Sequence, residues 1–261
     1  SYGKTNYIHN NSIMKILFIV QGEGRGHFTQ AITLEDMLLR NGHQVVEVLV
    51  GKSSSRTLPG FFNRSIQAPV KRFTSPNFLP TAENKRADLK KSFAYNLIHV
   101  PEYFRRMCYI NQRIKETGAE VVINFYELLT GLTYALFRPS VPYVCIGHQY
   151  LFLHNHFEFP RKSVIQLSML HFFTRMTSLR ATRRLALSFR KMESDRTERI
   201  SVVPPLLRRE VTAMQPEQGN YIHGYMVNSG FADSVEAFHA LHPEIPMHFF
   251  WDKQDADEVT K

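Results

Sequence analysis

Residues 15–43 read KILFIVQGEGRGHFTQAITLEDMLLRNGH, and this stretch decides the fold. Lys15 to Val20 is a short apolar run, partly β-branched and without alternation, which is the pattern of a strand covered on both faces. Gly22, Gly24 and Gly26 follow at once, residues that permit left-handed turns and close approach of a backbone. A helix is predicted from about Phe28 to Arg40: Ala31, Leu34 and Leu38, with Ile32 and Leu39, recur at helical spacing, and Asn41-Gly42 supplies the stop. Gln44 to Val50 (QVVEVLV) is the next strand. The order strand, glycine loop, helix, strand puts the loop at the carboxyl end of a parallel strand and at a helix N-terminus. Free N–H groups and the positive end of the helix dipole there favour a phosphate or a developing negative charge. The spacing is G-x-G-x-G-H, which differs from the dinucleotide pattern G-x-G-x-x-G. The third glycine comes one residue early, and His27 stands where close helix packing would need a glycine.

The 261 residues, 43% hydrophobic and 21% charged, suffice for a globular core and for one large domain or one and a half ordinary ones. No apolar run approaches the roughly 20 residues of a membrane-spanning helix. Residues 1–13 are polar, lack the apolar centre of a secretion signal and read as a tail ahead of a start at Met14. Cys108 and Cys145 lie far apart in apolar sequence, as buried single thiols of a reducing, cytoplasmic compartment do. The net charge is +9, and the segment Arg161 to Arg209, with twelve Lys or Arg against Glu193, Asp195 and Glu198, carries an excess of that size. Such a segment suits an acidic partner: anionic lipid at a membrane surface, or a phosphorylated acceptor. Nucleic acid is disfavoured, since no zinc spacing, RNP-type aromatic motif or helix-turn-helix pattern accompanies the charge.

Beyond the second strand, Gly51 to Gly60 reads as a loop, Val70 to Phe73 as a strand and Thr74 to Asp88 as a long surface loop. A helical pattern from Leu89 to Thr117 is interrupted at Pro101. Glu120 to Phe125 (EVVINF) is a buried strand whose end carries Tyr126-Glu127 at the start of a helix from Leu128 to Phe137. Pro142 to Ile146 (PYVCI) is another, ending in Gly147-His148-Gln149. Three polar clusters thus each follow an apolar run, and a doubly wound parallel sheet opens all three on one edge. From Lys162 to Arg180 a helical stripe of Val164, Leu167, Leu170, His171 and Thr174, widened by Met169, Phe172, Phe173 and Met176, is expected to face the core; the other reading is a basic-edged amphipathic surface resting on a bilayer. Arg183 to Phe189 and Ile200 to Val203 are the last strands of a domain ending near Val211, with Arg208 at its mouth. Residues 212–219 read as a linker, and 220–261 restart the strand-helix-strand plan with Tyr221 to Val227, Gly230 to Leu241 and Met247 to Trp251. Asp255-Ala256-Asp257 is formally a D-x-D, but in an acidic, polar tail it reads as solvated and not as a metal site.

GEGRGHFTQ at 22–30, with the helix ending in NGH and the strand QVVEV, resembles the N-terminal domain of GT-B glycosyltransferases, in the branch akin to the lipid-acceptor transferases of bacterial cell-wall synthesis. NFYELLTGL at 124–132, CIGHQYLF at 145–152 and ISVVPPLLRREV at 200–211 fit the same branch in the expected order. The resemblance implies an α/β, Rossmann-like acceptor domain over 14–211 and the opening of a second Rossmann-like, donor-binding domain over 220–261. A single strand-helix-strand unit does not build a nucleotide-sugar site, so the reading is of a truncated second domain or of a donor site that is absent. The implied activity is transfer of a sugar from a nucleotide-sugar, expected to be a UDP-sugar, to an acceptor hydroxyl on a lipid or phosphorylated glycan, with inversion, without a metal and without a cofactor.

Such transfer needs a base at the acceptor hydroxyl, and the ordinary pKa of His27 suits it. The helix N-terminus lowers an imidazole's pKa and keeps it neutral. In the resemblance His27 matches the loop histidine on the acceptor side, so it is the expected base or an acceptor-positioning residue; a helix-capping role is the bland alternative. Glu127 or His148 would orient it or bind the acceptor, with Gln149 beside them. Glu127 equally fits a first-turn residue that only stabilises its helix. Gly22, Gly24, Arg25 and Gly26 would approach the donor diphosphate or a phosphorylated acceptor. A different chemistry, that of a nucleotide-sugar binding protein or epimerase, would use Glu47 as an acid at the end of the second strand. A non-catalytic membrane- or acceptor-binding module is the third reading.

Overall fold

The structure, a computed structural model, describes residues 12–23, 25–52, 58–76, 96–159, 164–226 and 229–251. Gly24, most of the loop expected over 74–88, the start of the helix expected at Leu89 and the Asp255–Asp257 pattern lie outside them. The chain divides into two compact units, one of residues 1–76 with 100–212 and the other of 77–99 with 213–261.

The first unit is built on seven parallel strands: β1 (Lys15–Gln21), β2 (Gln44–Lys52), β3 (Val70–Thr74), β4 (Val121–Phe125), β5 (Tyr143–Ile146), β6 (Arg183–Leu187) and β7 (Ile200–Val203), in the order 3-2-1-4-5-6-7. The order reverses between β1 and β4, which pair directly from Ile16↔Val121 to Val20↔Phe125. Their adjacent carboxyl ends therefore flank the switch point where doubly wound sheets form a crevice. Helices α1 (Arg25–Arg40), α2 (Gly60–Ser65), α3 (Val100–Glu116), α4 (Leu128–Phe137) and α5 (Val164–Thr177) cover the sheet, and the short α6 (Arg209–Ala213) follows β7.

Alternation along the strands feeds two cores. Leu17, Ile19 and Val122 pack with Ile110 and Ile114 of α3 and Leu129 of α4, whereas Ile16, Phe18, Val20 and Phe125 pack with Phe28 and Ala31 of α1 and Phe62 of α2. This two-sided burial is why β1 reads as an unbroken apolar run. On the first side α4 lies so close to α5 that a side chain at Gly131 would overlap the Met176 carbonyl and the Thr177 backbone.

Several expectations need correction. Helix α1 starts at Arg25, three residues before the predicted start, so Arg25, Gly26 and His27 form its first turn. Glu47 is not at the end of β2, which runs on to Lys52, and its buried carboxylate accepts from Nε and Nη2 of Arg113 (2.8 and 2.9 Å) and pairs with Lys71 (2.8 Å). A ribose-binding role for Glu47 falls with that pairing. Cys108 is exposed, and only Cys145 is buried, its thiol pushed up to about 12 by burial. Helix α5 splits the two readings of its stripe: Thr174 and Thr177 are fully buried, while Val164, Met169 and Phe172 are exposed. Among the described residues no helix is long and apolar enough to cross a membrane.

The second unit contains β8 (Ile222–Met226) and β9 (Met247–Trp251), parallel and in register from Ile222↔Met247, joined through α7 (Ala232–Leu241).

Candidate functional site

Gly22 follows β1 and donates its N–H to the Gly51 carbonyl at 2.7 Å. A Cβ there would meet that oxygen at 2.8 Å, so this glycine lets the chain leave β1 against its own neighbouring strand. Helix α1 begins three residues on. Arg25 and Gly26 are exposed in its first turn, with open space where a side chain on Gly26 would stand. His27, third in the helix, turns inward and is buried.

Two things meet His27. Its Nε2 lies 3.2 Å from the amide nitrogen of Gln149, 122 positions away, at the carboxyl end of β5. Its ring lies nearly parallel to that of Tyr126, at 14° with centroids 6.0 Å apart, at the carboxyl end of β4. Burial, then the neighbouring His148, lower the His27 pKa to about 4, against a smaller raising interaction with Gln30. Neither His27 Nδ1 nor Gln30 Oε1 makes a hydrogen bond of good geometry. The ring is thus neutral at pH 7. His148 is exposed in the 3-10 turn His148–Leu153, its own pKa lowered by partial burial.

Tyr126 reaches over His27 because its backbone takes the left-handed conformation, φ +63°, costly for a residue with a side chain. Asn124 fixes that turn. It is fully buried in β4, its oxygen accepts from the Glu127 N–H (3.0 Å), and its amide donates to the carbonyls of Glu127 (3.1 Å) and Thr177 (2.9 Å). The Tyr126 hydroxyl is anchored on Thr174 of α5 at 2.8 Å. Asn124 was not singled out from the sequence, although the one polar residue in an apolar strand was the available signal.

Glu127 is wholly enclosed as the N-cap of α4. Its Oε1 accepts from the Leu129 N–H at 3.0 Å and from the Ser75 hydroxyl at 2.6 Å, which ties the tip of β4 to the tip of β3. Its Oε2 makes no hydrogen bond and packs where Gly51 has no side chain. Burial raises its pKa to about 7, opposed by the Ser75 and Leu129 bonds and assisted by the Glu23 carboxylate. The structure therefore gathers the predicted residues into two groups: His27 with His148 and Gln149, and Glu127 with Ser75, Gly51 and Glu23. Arg208 is exposed just before α6 and joins neither. Among the described residues no three His, Cys, Asp or Glu side chains converge as metal ligands.

The family model described as Glycosyl transferase family 1 matches residues 14–258. No match is found among curated protein sequences. Among solved structures, the glycosyltransferase of kitacinnamycin superposes with a TM-score of 0.53 at 12% identity, covering 95% of this chain and 69% of its own. CalG4, the calicheamicin glycosyltransferase, gives 0.52 at 16%, covering 92% and 65%. Arabidopsis thaliana UGT89C1, solved with UDP-L-rhamnose, gives 0.55 at 16%, covering 94% and 66%. Likeness at such identities is one of fold, and the chain spans about two thirds of the length of these structures.

Proposed function

The chain belongs to glycosyl transferase family 1, and on that premise we propose that it moves a sugar from a nucleotide-sugar to an acceptor hydroxyl, with His27 as the base. The observation that carries this reading is a buried, neutral imidazole in the first turn of the helix after β1, beside the sheet's switch point. The acceptor O–H gives its proton to the imidazole as the oxygen bonds to the anomeric carbon, and the bond to the diphosphate breaks on the opposite face, its electron pair leaving with the diphosphate. The outcome is inversion. Charge building on the leaving group finds the positive end of α1 and Arg25, so the step is read as metal-independent. A pKa of about 4 describes the ring without substrate; a diphosphate nearby stabilises the imidazolium and raises it.

Glu127 takes a positioning role in this scheme, since it caps α4 and holds the strand tips without an exposed oxygen. The donor is read as a UDP-sugar, by analogy with the ligand of UGT89C1. The exposed Val164, Met169 and Phe172 favour an apolar or lipid-linked acceptor, phosphorylated or not, and contact with an anionic membrane surface through the basic segment. His27→Ala should lower turnover of a panel of UDP-sugars, assayed with lipid-linked and free acceptors, by about 10²- to 10⁴-fold. Unchanged turnover in a folded variant excludes His27 as the base. Chelation should leave the rate unchanged, and the product should show the anomer opposite to the donor's.

A further inference from the structure

The contact between His27 and Gln149 goes beyond burial, because a ring nitrogen is defined by what it faces. Gln149 sits at the tip of β5 with its amide nitrogen 3.2 Å from Nε2. An amide nitrogen only donates, so the Nε2 it faces must carry a lone pair, and the ring proton then belongs on Nδ1. At the other end of the ring neither Nδ1 nor the Gln30 Oε1 makes a hydrogen bond of good geometry, although the Gln30 side chain opposes the lowering of the ring's pKa. The oxygens of the enclosed carboxylate, Glu127, are committed elsewhere, one to Ser75 and Leu129 and the other packed on Gly51.

Resting on the reading of His27 as the base, we infer that Gln149 is a positioning residue of the transfer reaction: its side-chain amide selects the His27 tautomer protonated on Nδ1 and holds the Nε2 lone pair at the place of the acceptor hydroxyl. The Gln149 amide nitrogen lies 3.2 Å from Nε2, a separation at which a general base also accepts from an alcohol O–H. Gln149 is half-buried on flexible bonds, so the amide swings aside as the alcohol enters. The alcohol then hydrogen-bonds Nε2 and passes its proton there as its oxygen bonds to carbon, leaving an imidazolium protonated on both nitrogens.

The test is nitrogen NMR of the imidazoles in the full chain without ligand, with His27 assigned by its loss in His27→Ala. The wild type should show one neutral form at pH 7, with Nδ1 protonated and Nε2 bare. Gln149→Glu, which puts only acceptors against Nε2, should invert that pattern, and Gln149→Leu should leave a mixture. A wild-type ring protonated on Nε2, or one unchanged in Gln149→Glu, overturns the assignment. Transfer by the same variants separates the two ideas. Full activity in folded His27→Ala removes the base itself. Loss in His27→Ala, with an unchanged ring and unchanged kcat in Gln149→Leu, removes only the role of Gln149. Loss of kcat in Gln149→Glu with KM for the acceptor preserved supports it.

Discussion

β1 and β8 open two copies of one plan, strand then helix then parallel strand, yet the first is sealed and the second is not. Ile16 to Val20 are all buried, with helices on both faces of their sheet. In β8 no residue is buried, and around it Tyr225, Phe250 and Leu241 are exposed. The local rules of strand formation are met equally in both. What differs is the number of neighbours: β1 lies between β2 and β4, whereas among the described residues β8 pairs with β9 alone. A run such as YIHGYM thus encodes a strand without encoding its burial.

The widest gap should appear when one aromatic residue is removed from each unit. Phe18, fully buried and edge-on to Phe125 at 5.1 Å, should lose about 3–5 kcal/mol on replacement by Ala, measured by urea unfolding. Phe250→Ala should stay within about 0.5 kcal/mol. Equal losses would break the contrast. A smaller effect is expected at Gly131, where even one methyl group meets the α5 backbone. Gly131→Ala should cost about 3 kcal/mol, against a helix-propensity gain of under about 1 kcal/mol; a net gain would mean that α4 and α5 part easily.

The mildest and most informative test is pH, because the two strongly shifted site groups, Glu127 and His27, both lie in the sealed unit. Glu127 is raised from 4.5 to about 7, so the native state keeps a proton that the unfolded chain sheds, and stability falls as pH rises through that window. His27 is lowered from 6.5 to about 4, so the unfolded chain gains a proton first, and stability falls as pH drops through its window. The slopes oppose one another in the wild type. Glu127→Gln should leave stability rising with pH from about 4 to 6.5, and His27→Gln should leave it falling from about 4.5 to 7, each by at most about 3 kcal/mol. Wild-type curves in both variants would show that neither group senses its burial.

All seven strands of the sheet were legible within a residue or two: β1, β2 and β4 as apolar runs buried on both faces, and the others, such as β3 (VKRFT) and β6 (RRLAL), from their place in the strand-helix alternation. The start of α1 is hidden in the sequence because Gly26 argues against a helix in isolation, yet a first turn tolerates it. Glu47 misleads because a charge in a strand looks like an end; Arg113, 66 positions away, is what lets it stay inside. The meeting of His27 with Gln149 depends on the strand order 1-4-5, which spacing does not contain. That three polar clusters share an edge was readable; which atoms touch was not.

Tyr126 holds a twisted backbone that a glycine would adopt at ease, and in return it lays a flat ring across the imidazole. Tyr126→Gly would thus ease the main chain by about 1–2 kcal/mol but empty a buried place packed on Tyr150 and Phe173 and leave Thr174 without its hydroxyl partner, a loss of about 3–5 kcal/mol. At this position thermal robustness and turnover should fall together, so the awkward backbone is kept for the sake of the side chain it carries.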